Sequence, residues 1–245
     1  MFALALLAVI IGSTLQRASG TGVGLVVAPA LALVYGPAQG VLLTNATTML
    51  SGLLLTLSVR PQVDWQAYRT IALWSLPGAC AGASLVQGLP AQTLQIVIGS
   101  IVLTALMITL FIPQLPHIAS IWSRRIAGCI GGCFNTTAGV AAPAMVVYAN
   151  LSRWEQKSFA ATMQPTFMTM GLVSVILKSI VFPVPNMNLP PWWLLPAIAA
   201  TVFCGSHIGN IVATKLSAHT ARRIAIGCAL IGGLVVLIRG LGWIS

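Results

Sequence analysis

Apolar stretches separated by short polar or glycine-rich breaks follow one another along almost the whole chain. Crossing a bilayer takes about 20 helical residues, and six stretches reach or approach that length: residues 40–59, 68–86, 94–112, 159–182, 192–213 and 224–238. Four others are too short: residues 2–15, 25–35, 126–134 and 139–151. These four form two pairs, divided at residues 16–24 and 135–138. We therefore predict two broken or re-entrant helical pairs.

The two pairs belong to an internal repeat. VGLVVAPALALVY at residues 23–35 matches AGVAAPAMVVY at residues 138–148, and later Gly78 and Gly82 match Gly205 and Gly209. Each half would be a broken pair followed by three transmembrane helices, and an odd number of crossings inverts the second half. The fold prediction is an all-α, polytopic membrane protein with two inverted structural repeats and about eight hydrophobic segments. A single membrane domain, residues 1–245, would comprise repeat one (1–115) and repeat two (120–245).

Composition supports the same fold class. Hydrophobic residues make up 58% of the 245 residues and charged residues 6%, whereas about a quarter of a soluble domain is charged. The chain has 12 Lys and Arg against 2 Asp and Glu. These bases are scattered between apolar runs, which indicates a lipid bilayer as the partner and no nucleic acid.

The basic residues predict the orientation in the membrane. If each broken pair enters and leaves on the same side of the membrane, the loops with Arg60, Arg125, Lys157 and Arg223 all fall on one side. The uncharged loops at residues 87–92 and 183–191 then share the other side. The positive-inside rule makes the basic loops cytoplasmic and puts both termini outside. We expect a multi-pass protein of the cell membrane, of the bacterial inner-membrane kind; glycine-rich helix faces also permit a homodimer.

The breaks are the best candidates for a binding site. Helices beginning near Gly22 and near Thr137 would point their N-termini at each other near the midplane. Helix N-termini carry partial positive charge and unpaired N–H donors, so the pair would bind an anion. Arg17 at the first break would be a bidentate donor to an oxyanion. Two alternatives stay open: the glycines could serve close helix packing, and Arg17 could snorkel to a surface.

Neutral side chains would complete this anion site. Asn45 and Gln164 occupy comparable places in the spans after the two pairs, although interhelical hydrogen bonding is an equal alternative. His207 could pack or relay a proton, and Lys178 is expected to snorkel. The predicted substrate-binding residues are Arg17, Ser19, Gly20, Thr21, Gly22, Gly24, Asn45, Thr48, Asn135, Thr136, Thr137, Gln164 and His207.

Several chemistries are not expected. The two carboxylates, Asp64 and Glu155, lie in predicted loops, so neither a carboxylate proton relay nor a carboxylate sodium site is expected in the interior. The sequence has no Walker, HExxH or GxSxG motif. Its five cysteines lie in apolar segments without metal-ligand spacing. We predict no catalytic residues, no metal, no cofactor and no enzyme activity; an enzyme using Cys or His207 is disfavoured.

The runs LQRASGTGVGLVVAPALALVYGP and GGCFNTTAGVAAPAMVVY resemble the TauE/SafE family of sulfite exporters and related permeases, over essentially the whole chain. The resemblance is to a divergent branch, because the second copy has fewer glycines and the first inserts Gln16 and Arg17. It implies export or uptake of sulfite, sulfonates or other small anions. The positions that match the family motif are Gly20, Gly22, Gly24 and Pro29 in the first copy and Gly139 and Pro143 in the second.

The function predicted is a permease for a small anion such as sulfite, a sulfonate or a short carboxylate. It would work by alternating access around a midplane site. Two alternatives use the same fold: a passive anion channel, and an accessory membrane subunit without transport of its own.

Overall fold

The computed structural model describes residues 2–19, 23–111, 117–118, 120–183, 193–215 and 217–243. In these residues the regular elements are all helical, which confirms the all-α class. The α-helices are α1 (Phe2–Ser19), α2 (Gly24–Tyr35), α3 (Pro37–Val59), α4 (Trp65–Gly88), α5 (Ala91–Phe111), α6 (Ile121–Ala138), α7 (Ala142–Ser152), α8 (Gln156–Ile176), α9 (Leu194–Lys215) and α10 (Ala218–Gly240). A 3₁₀ turn, Arg60–Gln62, follows α3, and a π-helical turn, Leu177–Val181, continues α8.

The described helices include five that are long and apolar enough to cross a membrane, namely α3, α5, α8, α9 and α10. This confirms a polytopic membrane protein. The sixth predicted span, α4, has 24 residues but is not among these five. Its small buried residues, including Gly78, Ala79 and Gly82, face other helices of the bundle.

Helix α1 with α2, and α6 with α7, form two re-entrant hairpins. The second break lies at residues 139–141, after α6, so the predictions of a break at residues 135–138 and of a helix beginning near Thr137 are wrong. The rings of Phe2, which begins α1, and Tyr35, which ends α2, lie 6.1 Å apart between centroids. Just before α6, the Ile118 N–H donates to the Leu151 carbonyl in the last turn of α7, at 2.8 Å. Each pair therefore enters and leaves at one end of the bundle. We call α1 with α2 the first hairpin and α6 with α7 the second hairpin.

Local sequence explains why the second hairpin turns where it does. Gly139 adopts a left-handed φ of 74° and its N–H donates to the Asn135 carbonyl at 2.8 Å, which ends α6. Pro143 then lies in the first turn of α7, where proline needs no hydrogen-bond partner for its nitrogen.

The two hairpins open at opposite ends of the bundle. The Asp64 N–H, after α3, donates to Thr162 Oγ1 near the start of α8 at 2.9 Å, so α3 and α8 are antiparallel. At the other end, the Gln87 side chain donates to the Pro183 carbonyl at 3.2 Å. The end with Asp64 also carries nine of the 12 Lys and Arg, and we call it the basic end; the nine are Arg60, Arg69, Arg124, Arg125, Arg153, Lys157, Lys215, Arg222 and Arg223.

Helices α3 and α8 cross through reciprocal glycine contacts. A Cβ atom added at Gly52 would lie 2.7 Å from the Gln164 carbonyl, and one added at Gly171 would lie 2.6 Å from the Asn45 carbonyl. The two contacts are equivalent with the halves exchanged, because Gly171 lies 119 residues after Gly52 and Gln164 lies 119 residues after Asn45. Such reciprocity is what a pseudo-two-fold relation between halves produces.

The same exchange relates two further helix pairs. A Cβ atom at Gly82 of α4 would lie 2.7 Å from the Cys133 carbonyl of α6, and one at Gly209 of α9 would lie 2.9 Å from the Thr14 carbonyl of α1. Thus α4 packs on α6 as α9 packs on α1, while α5 packs on α10. The division at residues 1–115 and 120–245 stays a prediction.

We predict that Gly171→Ala destabilises the protein by about 1–3 kcal/mol, because the added methyl group overlaps the α3 backbone. Gly227→Ala is the matched control, since nothing lies within 4 Å of its added Cβ and alanine favours a helix. Thermal unfolding in detergent, followed by tryptophan fluorescence, compares the two. Equal melting temperatures for both variants would contradict the close crossing.

Candidate functional site

The tips of the two hairpins meet inside the bundle. Gly24, at the start of α2, lies directly against the Gly139 carbonyl, so no larger residue fits there. Beside this contact is a cavity of about 10 Å³, room for about one water molecule. Its lining includes Gly24 at the start of α2 and Ala142 at the start of α7, with Thr48 and Asn135. The N-termini of both half-helices therefore face one small space.

A buried cation lies behind the second tip. Lys178 is 0% exposed and stands in the π-helical turn that continues α8. Its Nζ donates to the Thr136 carbonyl at 3.1 Å. With the Asn45 amide oriented so that its oxygen faces the ammonium, Nζ also donates to Asn45 Oδ1 at 2.8 Å. The prediction that Lys178 snorkels is wrong, because the π turn and these acceptors hold the side chain inside.

The partners of Lys178 form a connected, neutral cage. Asn45 Nδ2 donates to the Asn135 carbonyl at 3.1 Å, and Asn135 Nδ2 donates to Ser174 Oγ at 3.2 Å. The hydroxyls of Ser174 and Thr136 lie 2.7 Å apart. The Thr136 carbonyl belongs to the last turn of α6, where carbonyls lack helical partners and the helix dipole is negative. The ammonium therefore caps α6 and ties α3, α6 and α8 together.

The positive charge of Lys178 has no carboxylate to balance it. The chain has 2 acidic residues, and both lie at the basic end: Asp64 caps α4 by accepting from the Ala67 N–H at 2.9 Å, and Glu155 is exposed before α8. Lys178 instead lies where α8 approaches the opposite end. The acceptors that hold the Lys178 side chain are therefore neutral oxygens, and both carboxylates lie far from it.

A vestibule opens at the basic end and leads to the first tip. Its volume is about 380 Å³, and its lining includes two cations, Arg17 and Lys157. The full lining is Gln16, Arg17, Leu55, Ser58, Val59, Gln62, Lys157, Ala160, Ala161 and Gln164. Gln16 Nε2 donates to Gln164 Oε1 at 3.3 Å, which joins the first hairpin to α8.

Arg17 is held in this vestibule by α9. Its Nε donates to Asn210 Oδ1 at 2.6 Å, and the side chain is partly buried. A bidentate contact with an oxyanion would use the two terminal guanidinium nitrogens. Asn210 is a positioning residue that the sequence analysis did not include in the site.

Residues at the tip of the first hairpin correspond to residues 119 positions later at the tip of the second hairpin. The bond between Gln16 and Gln164 matches the bond between Asn135 and Asn45, so each hairpin is joined by an amide to the span that follows the other. Arg17 corresponds to Thr136, the residue whose carbonyl accepts from Lys178. Each tip therefore has one cation, supplied by α1 at the first tip and by the end of α8 at the second.

The structure brings most of the described candidates to these places. Gly24, Thr48 and Asn135 line the tip cavity, Asn45 and Thr136 hold Lys178, and Arg17 and Gln164 line the vestibule. The side chain of Ser19, and Gly20, Thr21 and Gly22, lie outside the described residues.

Two further candidates lie elsewhere. Thr137 is buried at the end of α6, where its hydroxyl faces Gly82 of α4. His207 is exposed on α9 and is not brought to either tip. Helix packing explains this position. Gly205 and Gly209 contact α1, and His207, two positions after Gly205, points about 200° away around the helix.

Lys178 is the main candidate site residue that the sequence analysis did not place in the site. One signal was present, because Gly171, Ser174 and Lys178 follow the spacing of a single helix face. The π-helical turn could not be predicted from the sequence. In the structure the Phe182 N–H donates to the Leu177 carbonyl, five residues back, at 2.7 Å. Such turns occur frequently at functional sites.

We predict that Asn45→Leu lowers stability by about 2 kcal/mol in the wild-type background, because the buried ammonium loses an acceptor. In the Lys178→Met background the same change should cost much less, since the charge is gone. Melting temperatures of the four proteins in detergent give the coupling. Equal effects of Asn45→Leu in both backgrounds would contradict the contact.

An all-α polytopic fold with two re-entrant hairpins and converging helix N-termini is typical of membrane transporters built from inverted repeats. The family described as Sulfite exporter TauE/SafE matches residues 4–236, and the chain belongs to that family. This confirms the resemblance seen in the sequence. At the family level the protein is a membrane transporter rather than an enzyme. No curated protein and no solved structure matches the chain.

Proposed function

We propose that this protein carries a small oxyanion such as sulfite, a sulfonate or a short carboxylate across the cell membrane. The observation that supports this most strongly is the meeting of the α2 and α7 N-termini beside a buried Lys178 that no carboxylate balances. Helix N-termini and a desolvated ammonium both favour negative charge. A cationic substrate would find no carboxylate there, because Asp64 and Glu155 both lie at the basic end.

Binding would begin in the vestibule. Lys157 at its rim and Arg17 deeper inside would attract an anion from the basic end. The tip cavity of about 10 Å³ is too small for an oxyanion. Transfer from Arg17 to the α2 and α7 N-termini therefore requires the hairpin tips to separate, with Asn45, Gln164 and the tip hydroxyls completing the shell.

Alternating access would carry the anion onward. The bundle has its vestibule at the basic end, whereas Lys178 and Asn45, toward the other end, are both 0% exposed. By the positive-inside rule the basic end is cytoplasmic and both termini are outside. This conformation would then take up an anion from the cytoplasm, as export requires.

We expect purified protein in liposomes to show saturable uptake of at least one anion from a panel of sulfite, sulfate, short sulfonates and short carboxylates. Arg17→Ala should lower initial uptake about 10- to 100-fold, because a charge-assisted contact contributes about 1.5–3 kcal/mol. Arg69→Ala, which removes an exposed cation of α4 at the same end, should leave uptake unchanged.

Other outcomes would assign a different role. Uptake that does not saturate and carries steady current would indicate the channel. An absence of uptake for every anion, by protein with a wild-type melting temperature, would contradict transport by this chain alone. Equal uptake by Arg17→Ala and wild type would remove Arg17 from the site.

A further inference from the structure

The internal repeat relates the residues of the vestibule to an equivalent set of residues in the other half, and that set is closed in this structure. Applying the offset of 119 to the vestibule residues on α1, α3 and α8 gives a matching set toward the opposite end. That set comprises Asn135, Thr136, Ser174, Leu177, Lys178, Ala38, Val41, Leu42 and Asn45. It contains the whole cage of Lys178, and Lys178 itself takes the place of Val59.

The two sets differ in exposure at some matched positions, while Gln16, Leu55, Ala161 and Gln164 are buried as their counterparts are. Ser58, Val59 and Ala160 are exposed or partly exposed around a space of about 380 Å³. By contrast, Lys178 and Val41, the counterparts of Val59 and Ala160, are each 0% exposed. The residues related by the offset of 119 thus form an open vestibule at the basic end and a closely packed region toward the other end.

We infer that a second vestibule opens at the end opposite the basic end when the halves exchange conformations, and that Lys178, with Asn45 and Asn135, is its oxyanion-binding site. This inference rests on the proposed function, because it assigns the outer half of the same transport route. It gives the fully buried lysine a ligand of a definite class, a small oxyanion.

The hydrogen bonds of the present state fit this role. The Lys178 ammonium now donates to Asn45 Oδ1 and the Thr136 carbonyl, as the Arg17 guanidinium donates to Asn210 Oδ1. An oxyanion entering the second vestibule would replace these neutral acceptors with a charged one, which is the stronger partner for an ammonium. Lys178 would thus bind the anion when the second vestibule is open and protein oxygens when it is closed.

Cysteine accessibility tests the second vestibule without altering Lys178. In a background with the five native cysteines replaced, Val41→Cys and Ala160→Cys form a matched pair related by the repeat. Each is labelled with a charged, membrane-impermeant maleimide in vesicles of known orientation, with and without a transported sulfonate or carboxylate. Ala83→Cys, at a 0% exposed position on α4, controls for unfolding.

We expect Ala160→Cys to label from the basic end and Val41→Cys from the opposite end, with no labelling of Ala83→Cys. Three results would overturn the inference: no labelling of Val41→Cys from either side while Ala160→Cys reacts, labelling of Val41→Cys from the basic end, and labelling of Ala83→Cys as fast as Val41→Cys.

Transport by a lysine variant separates this inference from the proposed function. Lys178→Gln should lower anion uptake at least tenfold while the Ala160→Cys reporter still labels from the basic end, which shows that the bundle is intact. Wild-type uptake combined with full activity of Lys178→Gln would overturn the role of Lys178 and leave the transport proposal standing. No uptake by the wild type in the same vesicles would instead contradict the proposed function.

Discussion

The ammonium of Lys178, buried with neutral oxygens as its partners, is the constraint on which the rest of this structure depends. It lies in a chain with 2 acidic residues, both far away at the basic end. The end of α6, the Asn45 amide and a π-helical turn together make its burial tolerable. Asn135 belongs both to this cage and to the lining of the cavity where the α2 and α7 N-termini meet, so the lysine and the two helix N-termini are neighbours in one polar interior.

Glycine contacts make the exchange of halves geometrically feasible. Helices α3 and α8 touch backbone to backbone through Gly52 and Gly171, at positions that the repeat makes equivalent. The proposed rocking of the halves would use this crossing, because its contacts are the same for both halves. In the proposed transport cycle the two cations would be exposed alternately, Arg17 through the vestibule that is open in this structure and Lys178 through its closed counterpart.

The sequence supported the architecture well because its signals are local. Short apolar pieces beside glycine-rich breaks indicated broken pairs, and the contacts of Phe2 with Tyr35 and of Ile118 with Leu151 resolve them as hairpins. The site was harder to predict because packing between helices decides which side chains are buried and in which direction they point. In the sequence, Lys178 near the end of a span has the pattern of a snorkelling residue. In the structure, the π turn and Asn45 hold its side chain inside the bundle. The far face of α9, which carries His207, is likewise set by glycines that pack on α1.

The most direct test of this account is to locate a bound anion by anomalous scattering from crystals of the protein soaked in selenite, a heavier analogue of sulfite. The account predicts a selenium peak on the path between Arg17, the starts of α2 and α7, and Lys178, and its loss in crystals of a protein with both Arg17→Ala and Lys178→Met. A peak on the exposed face of α9 near His207, with none along that path, would contradict it.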